Sequence, residues 1–370
     1  MSKFKNRITA LLVLAFMGIV FCLTLRNVVI DGKGINGETS AGNTFRVSET
    51  AERLSSVITE NIAGKDILTG INANIRNEVG EGIVNGVLAS GDRLLYVNDS
   101  ERVISPGIAK QLNLFAENYE GALYFAAIPT SSGVYGEKLP AYIDKNSEFR
   151  RINELYEKLG NNIRNIDACN ILKTHMNNYI YYRSDTKWTG YGAYCVYRTI
   201  AQKLGFTPSV YDKYTIRHLS SEFRGNLYTL TGFEKVEADM IDAYDYSGGA
   251  KVTSCIGYNS DGSTFESALY DKTLLDSDYM YDVYLGRETE FLRIKTSVSN
   301  ERKLLVIKDS YGDCLVPFLT QHYSEIDVVS VELTEDSIRE HVNPDNYEQT
   351  LIILGIESLS DDTILEMLNR

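Results

Sequence analysis

The chain is poor in the residues that carry most metal and redox chemistry. Its 370 residues include 4 His and 5 Cys. No Cys-x-x-Cys or His-x-x-x-His pair occurs, and the carboxylates do not gather at ligand spacing, so no resident metal is expected. No glycine-rich loop of phosphate-binding pattern is present, which removes support for a nucleotide and leaves no cofactor expected. Basic residues are also short: 37 Lys and Arg stand against 50 Asp and Glu, a net charge of −13. A chain so acidic lacks the basic patch that a nucleic-acid partner needs. No internal repeat of solenoid period occurs. Tryptophan is present once and tyrosine 25 times.

One long apolar run exists, at residues 8–25, preceded by Lys3, Lys5 and Arg7 and closed by Arg26. Its length is at the lower edge for a membrane-spanning helix, and the positive leading flank predicts an N-terminus inside and a body outside. A cleaved signal peptide is the rival reading, but Thr24-Leu25-Arg26 is a poor cleavage site. The expectation is an uncleaved signal anchor at 1–30 and a single-pass protein of the cell membrane with an extracytoplasmic body. Cys22 lies in the anchor. Cys169, Cys195, Cys255 and Cys314 would lie outside, as disulfides or as buried thiols.

Residues 31–43 are rich in Gly, Asn and Ser and read as a stalk. Apolar residues at helical spacing between 48 and 77 make an arm, so that stalk and arm occupy 31–85. From 86 to 370 the pattern is that of a single α/β body. It opens with a hairpin over 87–97. A helix at 107–119, a buried strand at 123–129, a helix at 147–159 and a strand at 162–166 follow, and Ile171-Leu172 read as the turn after that strand. Another helix runs to about Leu204. Residues 207–300 read as an insertion of loops and short antiparallel strands. Strands at 303–308, 326–331 and 349–355 then alternate with helices at 335–341 and 361–369. Such alternation predicts parallel β-α-β units and a three-layer α/β domain.

Two stretches could carry chemistry. Ser310 follows a strand and leads a sharp turn into a helix, where a serine is exposed near backbone N–H groups that could hold an oxyanion. A helix N-cap is the bland alternative, and by position alone it is the better one. Asp185-Thr186-Lys187-Trp188 precedes the helix that runs to Leu204, where Trp188 could equally be a core anchor.

Taken together, the segments 181–189, 192–194, 307–312 and 317–326 resemble the Asp-His-His-Trp proteins of bacterial cell envelopes. These are relatives of the acetyltransferase-like SGNH hydrolases that O-acetylate alginate and other exopolysaccharides. The likeness covers roughly residues 85–330. It implies an SGNH-hydrolase-like (flavodoxin-like) parallel sheet, with Ser310 as the acyl-accepting nucleophile and Asp185 as the aspartate that orients a histidine base. It also implies oxyanion and substrate contacts from Gly286, Trp188, Tyr182 and Arg183. The partners it implies are a cell-envelope polysaccharide or an acyl-donor protein, with a membrane O-acyltransferase working alongside.

Three departures bear on the reaction. The base position is Lys187, and a protonated lysine cannot accept the serine proton. It could act as a base only if desolvation lowered its pKa strongly. Glu288 stands where relatives carry an oxyanion-binding asparagine. Ser330-Val331-Glu332-Leu333 replaces a stretch that often reads Asp-Leu-Arg-Tyr. None of His175, His218, His322 and His341 is an evident substitute base. The reading favoured here is a non-catalytic member that binds carbohydrate or a partner protein through a Tyr- and Trp-rich cleft. The alternative is an active O-acetyltransferase or acetylesterase that uses Ser310 on a cell-surface glycan.

Overall fold

The longest apolar runs of the sequence become the central strands of one eight-stranded sheet. The computed structural model describes residues 82–97, 103–259, 261–277, 279–286, 289–334 and 336–370. The expected anchor and nearly all of the stalk and arm lie outside these residues, as does Glu288. Among the described residues no helix is long and apolar enough to cross a membrane. Residues Glu81–Arg370 form a compact unit.

A small antiparallel sheet comes first, from β1 (Ile83–Val84), β2 (Val87–Ser90) and β3 (Arg93–Tyr96). Next come α1 (Pro106–Asn118), β4 (Ala122–Ile128), α2 (Ser131–Val134), α3 (Ser147–Glu157), β5 (Ile163–Asn165) and α4 (Ala168–Thr174). Residues 171–172, expected as a turn, lie inside α4, whose start is capped by the Asp167 side chain accepting from the Asn170 N–H. After α5 (Gly190–Lys203) the chain forms β6 (Tyr214–Phe223), α6 (Asn226–Thr231), β7 (Asp239–Tyr246), β8 (Val252–Tyr258), β9 (Thr264–Glu266) and β10 (Phe291–Thr296). It closes with β11 (Lys303–Lys308), α7 (Ser310–Asp313), α8 (Val316–Leu319), β12 (Glu325–Ser330) and β13 (Gln349–Gly355).

The main sheet has the order β5-β4-β13-β11-β12-β10-β8-β9. Pairing from β5 through β12 is parallel, and pairing from β12 through β9 is antiparallel. The sheet is therefore mixed and dominated by its parallel part, where the resemblance implies a parallel sheet. Part of the expected insertion does not lie beside the sheet but lengthens it, through β8, β9 and β10. Only β6 and β7 pair separately.

Both faces of the parallel part are dry. Leu123, Phe125, Ala127, Leu305, Ile307, Ile352 and Leu354 pack with residues of α1 and α3 on one side. Their neighbours in sequence, including Tyr124, Ala126, Leu304, Val306, Leu351 and Ile353, pack with α4, α5 and α8 on the other. Alternation of this kind is why these strands read as unbroken apolar runs. Each fully buried aliphatic side chain contributes roughly 1.5–3 kcal/mol. Layers of helix, sheet and helix are thus present.

Two expected helices are absent. Residues 336–341 hold only a 3-10 turn at Ile338–Glu340, and 361–369 only one at Glu366–Leu368. In both places short polar side chains compete for the backbone. Ser337 accepts from the Arg339 N–H, and Asp361 accepts from both the N–H and the hydroxyl of Thr363.

Candidate active site

The site is built where parallel strands end. β4, β13 and β11 lie side by side, and their carboxyl ends bring residues 129–131, 355–358 and 309–310 to one edge. From here β4 leads outward to β5 and β11 leads outward to β12, in opposite directions. Such a reversal opens a crevice above the sheet, the usual ligand position in open α/β folds.

Asp309 shapes the turn after β11. Its Oδ1 caps the Tyr311 N–H at 3.0 Å. Its Oδ2 accepts from the Gly355 N–H at 2.6 Å and from the Ser358 hydroxyl at 2.7 Å. A Cβ on Gly355 would strike the Tyr311 ring, so β13 can approach this closely only with glycine there.

The loop 183–189 settles on this turn. Trp188 is fully buried, and its indole N–H donates to the Tyr311 carbonyl at 3.0 Å across 123 residues of sequence. The two rings meet edge to face with centroids 5.7 Å apart. The Tyr311 hydroxyl donates back to the Thr186 carbonyl at 2.9 Å. The Trp stretch and the Ser310 stretch thus form one seam.

Asp185 is also fully buried. One oxygen accepts from the Lys187 N–H at 3.0 Å, and the other from the Asn226 N–H at 2.7 Å and the Tyr279 hydroxyl at 3.0 Å. A side chain at Gly225 would collide with that carboxylate, so the glycine lets the backbone reach it. Despite these bonds burial pushes the Asp185 carboxyl above its ordinary range, with Lys187 opposing.

Lys187 is half-buried. Its Nζ lies 4.5 Å from the Tyr311 ring centroid, on the ring face. Burial works to lower its pKa, but the carboxylates of Glu357, Asp309, Asp185 and Glu332 outweigh burial and raise it. Asp309 is raised too, by burial first, against the pull of Lys187. The cation is reinforced by its acids, while at Asp185 and Asp309 burial outweighs the pull of the lysine.

Ser310 is half-buried at the first position of α7. Among the described residues its hydrogen-bond partner is Glu332, not Lys187 or Asp185. Its N–H donates to one carboxylate oxygen at 2.9 Å and its hydroxyl to the other at 3.3 Å. Sheet register dictates this neighbour. Lys308 stands opposite Ser330 in the parallel ladder, so two residues further on Ser310 comes beside Glu332.

The other expected site residues lie around this centre. The Tyr182 ring is buried and its hydroxyl meets the Tyr284 hydroxyl at 3.1 Å. Arg183 lies 3.7 Å from Asp92 and 3.8 Å from Asp239. Gly286 sits at φ +75° directly after Leu285 at φ +62°, beside Lys308 and Asp313. With Trp188 and Tyr182 buried, neither offers a free ring face to a sugar. The histidines are placed elsewhere. His322 meets the Tyr197 hydroxyl at 2.7 Å, His218 meets Asp242 at 2.6 Å, His341 meets Glu290 at 3.4 Å, and His175 ends α4. Cys169, Cys195, Cys255 and Cys314 are free, buried thiols, and burial pushes Cys195 and Cys255 up to about 11. No group of residues suited to hold a metal occurs among the described residues.

Glu357 was not anticipated. It follows β13, and the Thr186 hydroxyl donates to it at 3.1 Å. Its position just past a strand that ends at the crevice was the available signal.

The model of the family described as "DHHW protein" matches residues 53–329. Among solved structures, a DHHW family protein from Eubacterium siraeum superposes with a TM-score of 0.62 at 22% identity, over 77% of this chain and 96% of that one. Bacillus cereus PatB1, solved with a sulfonyl adduct, gives a TM-score of 0.61 at 19% identity, over 75% and 97%. The O-acetyltransferase domain of Pseudomonas putida AlgJ gives 0.43 at 11% identity, over 74% and 92%. Among curated proteins no sequence matches the chain. With the family model spanning residues 53–329 of 370, and with the seam of Trp188 and Tyr311 in place, this chain belongs to the DHHW family.

Proposed function

We propose that this chain is a non-catalytic, SGNH-like member of its family that serves cell-envelope polysaccharide modification. In this reading it binds carbohydrate or a partner protein and transfers no acyl group. Residues 8–25 hold it at the membrane with residues 86–370 outside the cell. A membrane O-acyltransferase or an acyl-donor protein is the expected companion.

One feature carries the reading: Lys187, at the base position, lies over the Tyr311 ring, and the charges of Glu357, Asp309, Asp185 and Glu332 raise its pKa and favour the cation. A serine nucleophile must lose its proton as it attacks, and a general base must be neutral or anionic to take it. Lys187 occupies the base position in the charged form. Asp185 is engaged with the Lys187 and Asn226 amides and the Tyr279 hydroxyl.

The test is acetyl-ester hydrolysis by the full-length protein beside its Ser310→Ala and Lys187→His variants. The native protein is expected to match Ser310→Ala. Turnover in the native protein that disappears in Ser310→Ala would establish the active reading instead. A gain in Lys187→His identifies the missing base as the reason for silence.

A further inference from the structure

Glu332 makes contacts that the absence of a base does not explain. Its carboxylate is exposed at the surface, yet it accepts both protons that Ser310 can donate, from the N–H at 2.9 Å and the hydroxyl at 3.3 Å. No cation among the described residues lies within ion-pairing distance of it, although Lys187 and Lys308 both feel its charge. The N–H of a nucleophilic serine at the start of a helix is a donor that would face a developing oxyanion. Here that donor already holds a full negative charge. A second anion at the same position would lose the hydrogen bond and meet a like charge a few ångströms away.

The geometry points to Glu332 as a tethered occupant of the oxyanion position of Ser310, a second obstacle to acyl chemistry beside the charged Lys187. This inference rests on the non-catalytic reading and names what closes the site. The ladder pairing Lys308 with Ser330 delivers residue 332 beside Ser310, so the occupancy is built into the sheet. The Val331 N–H donates to the Lys308 carbonyl at 2.9 Å, which holds the backbone just before Glu332 against β11. Only the side chain must move for the position to open. The ligand class that the opened position would take is a tetrahedral anion attached to the Ser310 oxygen.

Phenylboronic acid probes this without needing a base. Its boron accepts an electron pair from the Ser310 oxygen. A B–O bond forms, the hydroxyl proton leaves to buffer, and a tetrahedral boronate anion remains on the serine. Calorimetric titration of the full-length native protein, Glu332→Gln, Glu332→Ala and Ser310→Ala/Glu332→Ala would measure the effect. Binding is expected to be about tenfold tighter in Glu332→Ala than in the native protein, roughly the worth of one solvent-screened like charge at this range. Glu332→Gln should lie between the two, and Ser310→Ala/Glu332→Ala should not bind. Because Glu332 is exposed, both of its variants should fold, which their thermal transitions would verify. Equal affinity in the native and Glu332→Ala proteins, or no binding by either, would overturn the inference. Neither of those results would revive the active reading, which stands or falls on ester turnover by the native protein.

Discussion

Two groups of residues meet at Ser310 and are built differently. One is the seam of Trp188, Tyr311, Thr186, Asp309 and Gly355. It is buried throughout, and every polar atom named in it has a partner at 2.6–3.1 Å. The other is the charged face, where Lys187 is set against Glu357, Asp309, Asp185 and Glu332, and Lys308 also faces Asp309 and Glu332. The seam fixes where the Trp loop and the serine turn lie. The face decides what Ser310 can do. A fold can therefore keep the first arrangement while the second no longer suits acyl transfer.

The largest effect is expected from breaking the seam. Trp188→Ala removes a fully buried indole and the bond to Tyr311, and should cost about 3–5 kcal/mol in urea denaturation. A loss below about 1 kcal/mol would mean that the ring does not hold the two motifs together.

Breaking the face should cost less and depend on pH. Lys187→Met leaves four acids without their cation, and about 2–3 kcal/mol is expected at neutral pH, reduced from the buried-pair range because the lysine is half-buried. The signs are specific. The Lys187 pKa is raised above 10.5, so its contribution is present below that pH and fades as pH rises through the folded value. Asp185 and Asp309 are raised above 3.8, so they oppose folding as pH climbs past that value. The loss in Lys187→Met should therefore shrink when the comparison is repeated near pH 4. A loss that is the same at both pH values would argue against the shared-cation description.

His322 lies apart from both groups and provides a contrast. It is buried against Tyr197 and Phe206, and burial first, then Arg302, pushes its pKa down to about 4. The unfolded chain takes up that proton near pH 6.5, so stability should fall between pH 6.5 and 4, by about 2 kcal/mol from this residue. The imidazole NMR signals should report a neutral ring at pH 5, and His322→Gln should flatten that part of the stability curve. A ring protonated at pH 5 would contradict the burial argument.

The smallest effect is expected for Tyr311→Phe, which keeps the ring and removes only its bond to the Thr186 carbonyl. About 1 kcal/mol is expected, from a single buried acceptor left unpaired.

Much of the fold was legible in the sequence because its signals are local. The runs at 123–128 and 303–308 are strands because both of their faces are covered, and a chain of apolar residues is the direct mark of that. The pairing of the Trp stretch with the Ser310 stretch was legible only through family resemblance, since nothing local links residues 123 positions apart. The contacts that shape the chemistry were less accessible. That Glu332 faces Ser310 follows from strand register, which becomes visible only once β11 and β12 are known to be parallel neighbours. That Glu357 joins Lys187 requires knowing that β13 lies between β4 and β11, although it comes last in the chain. The two missing helices near the C-terminus failed for a local reason, the competition of Ser and Asp side chains for backbone N–H groups.

The central claim is that Ser310 lacks a base that would activate it for acyl transfer. The most direct measurement is treatment of the full-length protein with phenylmethylsulfonyl fluoride, followed by peptide mass spectrometry across residues 303–325. The expected result is an unmodified Ser310 under conditions where an active serine esterase is fully labelled. A sulfonyl group on Ser310 in the native protein, absent after denaturation and treatment of the same chain, would contradict it.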